Sequence, residues 1–96
     1  MKREVVYLVK INGYVKIGHT VDMRRRLYQL KRYWGNAKML ARTEGDRLHE
    51  EAVQEVFERY RVHQRNGRGP DFFNIPPATL KALVQMFRDG TVFADC

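Results

Sequence analysis

Two short stretches near the start of the chain, residues 5–11 (VVYLVKI) and 14–18 (YVKIG), are rich in β-branched and aromatic side chains. Asn12-Gly13 separates them, and this dipeptide is the strongest short signal for a two-residue hairpin turn. The register follows by counting back from the turn: Ile11 opposite Tyr14, Val9 opposite Lys16, Tyr7 opposite Gly18. Paired residues share a sheet face and alternate residues return to it. Val6, Leu8, Val15 and Ile17 therefore form a wholly apolar face that is expected to meet the core. The other face carries Tyr7, Val9, Ile11, Tyr14, Lys16 and Gly18, where a phenol lies diagonal to an ammonium and a glycine opposite the phenol leaves open space.

Beyond the hairpin the period changes. Met23, Leu27, Leu30 and Trp34 recur at helical spacing, so a helix is expected from a cap at Thr20 or Asp22 to about Trp34, ended by Gly35-Asn36. Residues 37–43 (AKMLART) read as a third strand. A second helix is expected over residues 46–61, with Leu48, Ala52, Val53, Val56, Phe57 and Tyr60 in one apolar sector. Within it, His49 reads as a hydrogen-bonded core histidine. Glu51 and Glu58 fall opposite that sector, and Glu50 falls at its edge, where a carboxylate can be partly buried and aimed at a site. Residues 63–71 (HQRNGRGPD) form a glycine-rich basic loop, followed by a short extended piece at Phe72-Phe73-Asn74-Ile75. Pro77 can open a last helix, with Leu80, Leu83, Val84 and Phe87 as its packing stripe and Gly90 at its end.

Composition narrows the class. A chain of 96 residues with 44% hydrophobic side chains supports one domain, residues 1–96, and one modest core. Mean hydropathy is −0.57, and no apolar run approaches the roughly 18 residues of a membrane span. Nothing at the start resembles a cleavable secretion signal. Cys96 is the single cysteine, which excludes a disulfide framework and a cysteine-based zinc site and suggests a cytoplasmic location. The charge of +7 is unevenly placed: residues 1–34 hold nine basic residues against two acidic ones, and the remainder holds nine of each. Such clustering suits a polyanionic partner, nucleic acid above all, because Lys and Arg displace counterions condensed on phosphates.

Candidate chemistry is limited. There is no nucleotide-binding glycine loop and no His-Glu-x-x-His. The chain contains no serine, so serine catalysis is excluded. What remains is a phenol, a lysine, histidines, arginines, a carboxylate and an asparagine. Phosphodiester hydrolysis uses such a set, since it needs a base for water, cations for phosphoryl charge and a carboxylate to hold a divalent metal.

The order of these residues adds a likeness. Val5-Val6-Tyr7, Lys16-Ile17-Gly18, Arg26-Leu27, Glu50-Glu51-Ala52-Val53 and Asn74-Ile75 together resemble the GIY-YIG endonuclease superfamily. The likeness covers roughly residues 5–75 and is strongest to its short, phage-associated branch, with Asp71-Phe72-Phe73 as the acidic-aromatic segment. Val5 stands where the first motif has glycine, and Lys16 where the second has tyrosine. Some nuclease members also carry lysine there, with histidine three residues on, as in Lys16-Ile17-Gly18-His19.

The resemblance implies an α/β fold of the α+β type, a three-stranded antiparallel sheet flanked by helices, with the site on one sheet face. It implies a metal-dependent endonuclease acting on DNA. Tyr7 would serve as, or orient, the general base, and Lys16 would help keep it deprotonated. His19 would contact phosphate or relay a proton, and Arg26 would stabilise the phosphoryl charge. Glu50 would be the single protein ligand to Mg²⁺ or Mn²⁺, with Asn74 in support. Arg24, Arg25, Lys31, Arg32, Arg65 and Arg68 would hold the nucleic-acid backbone. The alternative is a catalytically inert nucleic-acid-binding module of the same fold. A separate targeting subunit is a further expectation, as is a monomer or weak homodimer.

Overall fold

A computed structural model describes residues 3–62 and 71–93 of the chain. In order, these form strand β1 (Val5–Ile11), strand β2 (Tyr14–Thr20), helix α1 (Met23–Trp34), strand β3 (Lys38–Glu44), helix α2 (Arg47–Val56), a single 3-10 turn at Glu58–Tyr60, the two-residue strand β4 (Phe72–Phe73) and helix α3 (Pro77–Asp89). The sheet order is β3-β1-β2-β4, and every neighbouring pair is antiparallel. At the hairpin turn, Asn12 (φ 52°) and Gly13 (φ 83°) both sit at positive φ. That geometry matches the twist of the two strands it joins. The β1–β2 register is the one counted from the turn, including Tyr7 opposite Gly18.

Three expectations are corrected. The sheet has four strands: Phe72 and Phe73 pair with Lys16 and Val15 of β2. A two-residue strand has no period to read; it exists because β2 offers a free edge. Second, the space expected opposite Tyr7 is not open, because helices cover both sheet faces as expected and the phenol is packed on Gly18. Val6, Leu8, Val15 and Ile17 pack against Val53 of α2 and against Leu83 and Phe87 of α3. Tyr7, Val9 and Ile11 are equally buried on the other side, against Met23 and Leu30 of α1 with Ala37 and Phe72. The apolar stripe of α1 needs a partner, and only this face is available to it.

Third, α2 is turned by roughly a quarter of a revolution from the expected sector. It buries Val53 and Gln54 and leaves Leu48 and Val56 exposed. The rotation brings Glu50 and Gln54, one turn apart, against the sheet. The helix also ends earlier, at Val56, and its last expected turn is the separate 3-10 turn. His49 is half-buried: its Nδ1 accepts from the Asp46 N–H in a capping box, and its ring lies 4.4 Å from that of Phe93. The caps of the other helices match their sequence signals. Asp22 accepts from the Arg25 N–H at 3.1 Å, and Gly90 closes α3 in the left-handed conformation.

The cross-strand pair Tyr7–Gly18 is where the sheet is tightest. A Cβ added at Gly18 would lie 2.5 Å from the Tyr7 Oη and 2.6 Å from its Cζ. The phenol therefore occupies the space expected to be open. Gly18→Ala should destabilise the fold by about 1–3 kcal/mol, the usual range for overpacking, and should be close to neutral in a Tyr7→Ala background. Urea unfolding of the two single variants and the double variant measures that coupling.

Candidate functional site

Tyr7 is fully buried on central strand β1, and its hydroxyl accepts a hydrogen bond from Arg26 Nη1 at 3.4 Å. Arg26 stands in the first turn of α1, beside Arg24 and Arg25. That turn holds no acidic residue. Cations are unfavourable at a helix N-terminus, where the macrodipole is positive, so three arginines there work against helix stability and favour a bound anion. A cleft of about 200 Å³ opens at this point, lined by Thr20, Val21, Asp22, Arg25, Arg26 and Gln29.

A second group of side chains meets at the edge of β2, where β4 stops. The Ile17 N–H donates to the Asp71 carbonyl at 3.0 Å. The Ile17 carbonyl has no strand opposite it and accepts instead from Gln54 Nε2 at 2.8 Å. Gln54 thus continues the ladder with a side chain. The same amide reaches Glu50 Oε1 at 3.2 Å and Asp71 Oδ1 at 3.3 Å. Glu50, only 13% exposed at its side chain, has its other oxygen 2.6 Å from His19 Nδ1. With the carboxylate ionised, Nδ1 carries the proton and donates. Nε2 is then left without a partner among the described residues, as a lone-pair acceptor when the ring is neutral.

Lys16 does not serve Tyr7 as expected. Its ammonium pairs with Asp71 Oδ2 at 3.2 Å and lies 5.4 Å from the centre of the Phe72 ring. Burial raises the phenol of Tyr7 above its ordinary value of 10.0. Arg26 opposes this by hydrogen bond and charge, while the charges of Asp71 and Glu50 add to the rise. The cation acting on the phenol is Arg26, and the net direction favours phenol over phenolate.

The structure therefore brings Tyr7 and Arg26 together, and separately Glu50, His19, Gln54, Asp71 and Lys16. By register His19 shares the face of Val6, opposite that of Tyr7, so the site expected on one sheet face is divided between two, with the charges of Glu50 and Asp71 still acting on Tyr7. Arg24, Arg25, Lys31 and Arg32 lie exposed on α1. Asn74 is exposed, and its backbone N–H donates to the Tyr60 carbonyl; no contact brings its side chain to the others. Arg65, Arg68 and Cys96 lie outside the described residues.

Gln54 carried no role in the sequence, and Asp71 entered it only as part of the acidic-aromatic segment, without a place in the site. The spacing of Gln54, four after Glu50, was the available signal, but an amphipathic count treats it as a polar gap. Arg42 was missed as well. Its pairing opposite Tyr7 puts it on that sheet face, and it lines a cleft of about 390 Å³ with Arg3 and Met23.

No cluster of three or more metal-binding side chains exists among the described residues. The described residues offer no closed protein cage for a metal. An ion that keeps most of its waters does fit, since Mg²⁺ is commonly held through one or two carboxylates. Glu50 supplies one such carboxylate, and Asp71 lies on the same amide.

Fold and site together define a small α+β domain with a cationic cleft at the start of α1 and a carboxylate–imidazole pair between α2 and β2. The chain belongs to the T5orf172 domain family, whose sequence model matches residues 4–88. This is a phage-associated domain often linked to nuclease modules. No curated protein and no solved structure matched the chain. No helix among the described residues is long and apolar enough to cross a membrane.

Two outcomes follow from this geometry. Gln54→Leu leaves the Ile17 carbonyl without its donor, and should cost about 1–3 kcal/mol in urea unfolding, the usual penalty for an unsatisfied buried polar group. The raised Tyr7 phenol stabilises the fold fully below its unfolded value of 10.0, and that contribution is lost as pH rises through the folded value. Unfolding midpoints followed from about pH 8 to 11 should fall more steeply for wild type than for Tyr7→Phe.

Proposed function

We propose that the domain is a metal-dependent endonuclease hydrolysing DNA phosphodiester bonds at a site of the GIY-YIG type. The observations that carry this reading are two pairs: a carboxylate bonded to an imidazole, Glu50 with His19, and a guanidinium bonded to a phenol, Arg26 with Tyr7, with the charge of Glu50 acting on Tyr7. The order of the motif residues and the family's link to nuclease modules support it.

Arg26, with the cleft at the start of α1, binds the non-bridging oxygens of the scissile phosphate and stabilises charge as it develops there. His19 takes a proton from the attacking water through Nε2. Glu50 accepts from Nδ1 and so holds the ring in the tautomer that can do this. Water adds to phosphorus, the bond to the 3′ oxygen breaks, and that oxygen leaves to be protonated by solvent. Tyr7 is a positioning residue here. Its phenol is buried and raised in pKa, which suits holding Arg26 better than accepting a proton from water. Lys16 and Asp71 neutralise each other at the rim. A divalent cation held by Glu50, with Asp71 near, would supply Lewis-acid stabilisation of oxygen charge.

The test is cleavage of supercoiled plasmid in Mg²⁺ or Mn²⁺. Wild type should nick or linearise it, and Glu50→Gln and Arg26→Ala should each fall by roughly 100-fold or more. His19→Ala should lose about 10²- to 10⁴-fold, the range for general-base removal, whereas Tyr7→Phe should cost about tenfold. No cleavage by wild type, with salt-dependent DNA binding that Glu50→Gln leaves unchanged, would identify an inert binding module instead. Activity that appears only with added cell extract would point to a separate targeting subunit.

A further inference from the structure

Tyr28 stands 61% exposed on the outer face of α1, where nothing in the fold needs a ring. Residues three and four apart are neighbours on a helix surface. The four such neighbours of Tyr28 are Arg24, Arg25, Lys31 and Arg32, all exposed. No carboxylate occurs anywhere in α1. Arg32 Nη1 donates to the Tyr28 hydroxyl at 3.5 Å and helps to hold the ring in place. Tyr33 is 78% exposed. It lies seven residues after Arg26, on nearly the same stripe and about 10 Å further along the axis.

A cationic ridge alone fits the phosphates of any nucleic acid. An exposed phenol ringed by four cations fits something narrower. In a duplex the base faces are stacked on one another, so the ring has nothing to stack on. In an unpaired strand each base offers a face, and aromatic side chains set among cations are the usual platform for it. An acidic protein surface would satisfy the cations but makes no comparable use of the ring. We infer that the outer face of α1 binds single-stranded nucleic acid, with Tyr28 stacking on an unpaired base while the surrounding cations hold the flanking phosphates. Tyr33 provides a second ring on the side of Arg26. The inference rests on the nuclease reading and narrows its substrate to DNA with unpaired bases near the cut, such as a flap, a junction or a free strand.

Fluorescence anisotropy in EDTA separates this from hydrolysis. The probes are one labelled oligonucleotide as a single strand, the same sequence as a duplex, and an abasic strand of equal length. Wild type should prefer the single strand. Tyr28→Leu should weaken that binding by roughly 5- to 100-fold, the worth of one base stack, and leave duplex and abasic binding unchanged. Its salt slope should stay that of wild type, because no charge is removed. Tyr28→Phe, which keeps the ring, should restore the affinity. Equal losses on all three probes, or no loss on any, would overturn the inference. Plasmid cleavage is scored apart, so the stacking surface can fail while the nuclease reading stands, or the reverse.

Discussion

The ring of Tyr7 lies across the backbone of Gly18, and much of the molecule is arranged around that contact. Only a residue without a Cβ lets the phenol settle between β2 and α1. Once it is there, its hydroxyl meets Arg26, the first turn of α1 is tied to β1, and the apolar stripe of the helix closes over Val9 and Ile11. One glycine thus links the register of a hairpin to the position of a guanidinium eight residues later. The three arginines of that turn oppose the helix dipole, a local cost consistent with an anion-binding role.

At the other side of β2 the chain solves a different problem. β4 lasts only two residues, and the Ile17 carbonyl beyond it would otherwise be buried without a donor. Gln54 supplies that donor and, through the same amide, draws Glu50 and Asp71 together. The rotation of α2 that achieves this leaves Leu48 and Val56 in solvent. A helix chosen for burial alone would turn the other way. Trading apolar contact for a polar network is a conflict between local pattern and fold, and natural proteins accept such conflicts mainly at functional sites. With Glu50 bonded to His19, the network presents an oriented imidazole, while the Lys16–Asp71 pair keeps the rim electrically balanced.

Much of the local structure was legible in the chain itself. Asn12-Gly13 determined the hairpin and, by counting, the pairing of Tyr7 with Gly18, because a two-residue turn admits one register. The spacing of Met23, Leu27, Leu30 and Trp34, with Asp22 before them, determined α1. The opening of α3 by Pro77 and its end at Gly90 were equally local. Residue order alone singled out Tyr7, Arg26 and Glu50, and the uneven charge marked the first third of the chain as the basic part. Contacts between distant elements decided the rest. The fourth strand depends on a free edge that no periodicity announces. The face of α2 was set by a carbonyl seeking a donor, not by the apolar count. The partner of Lys16 was Asp71, fifty-five residues away, and not the phenol two rungs along the sheet. In each case the deciding term was the satisfaction of a buried polar group or charge, which depends on what the folded chain brings beside it and has no signature along the sequence.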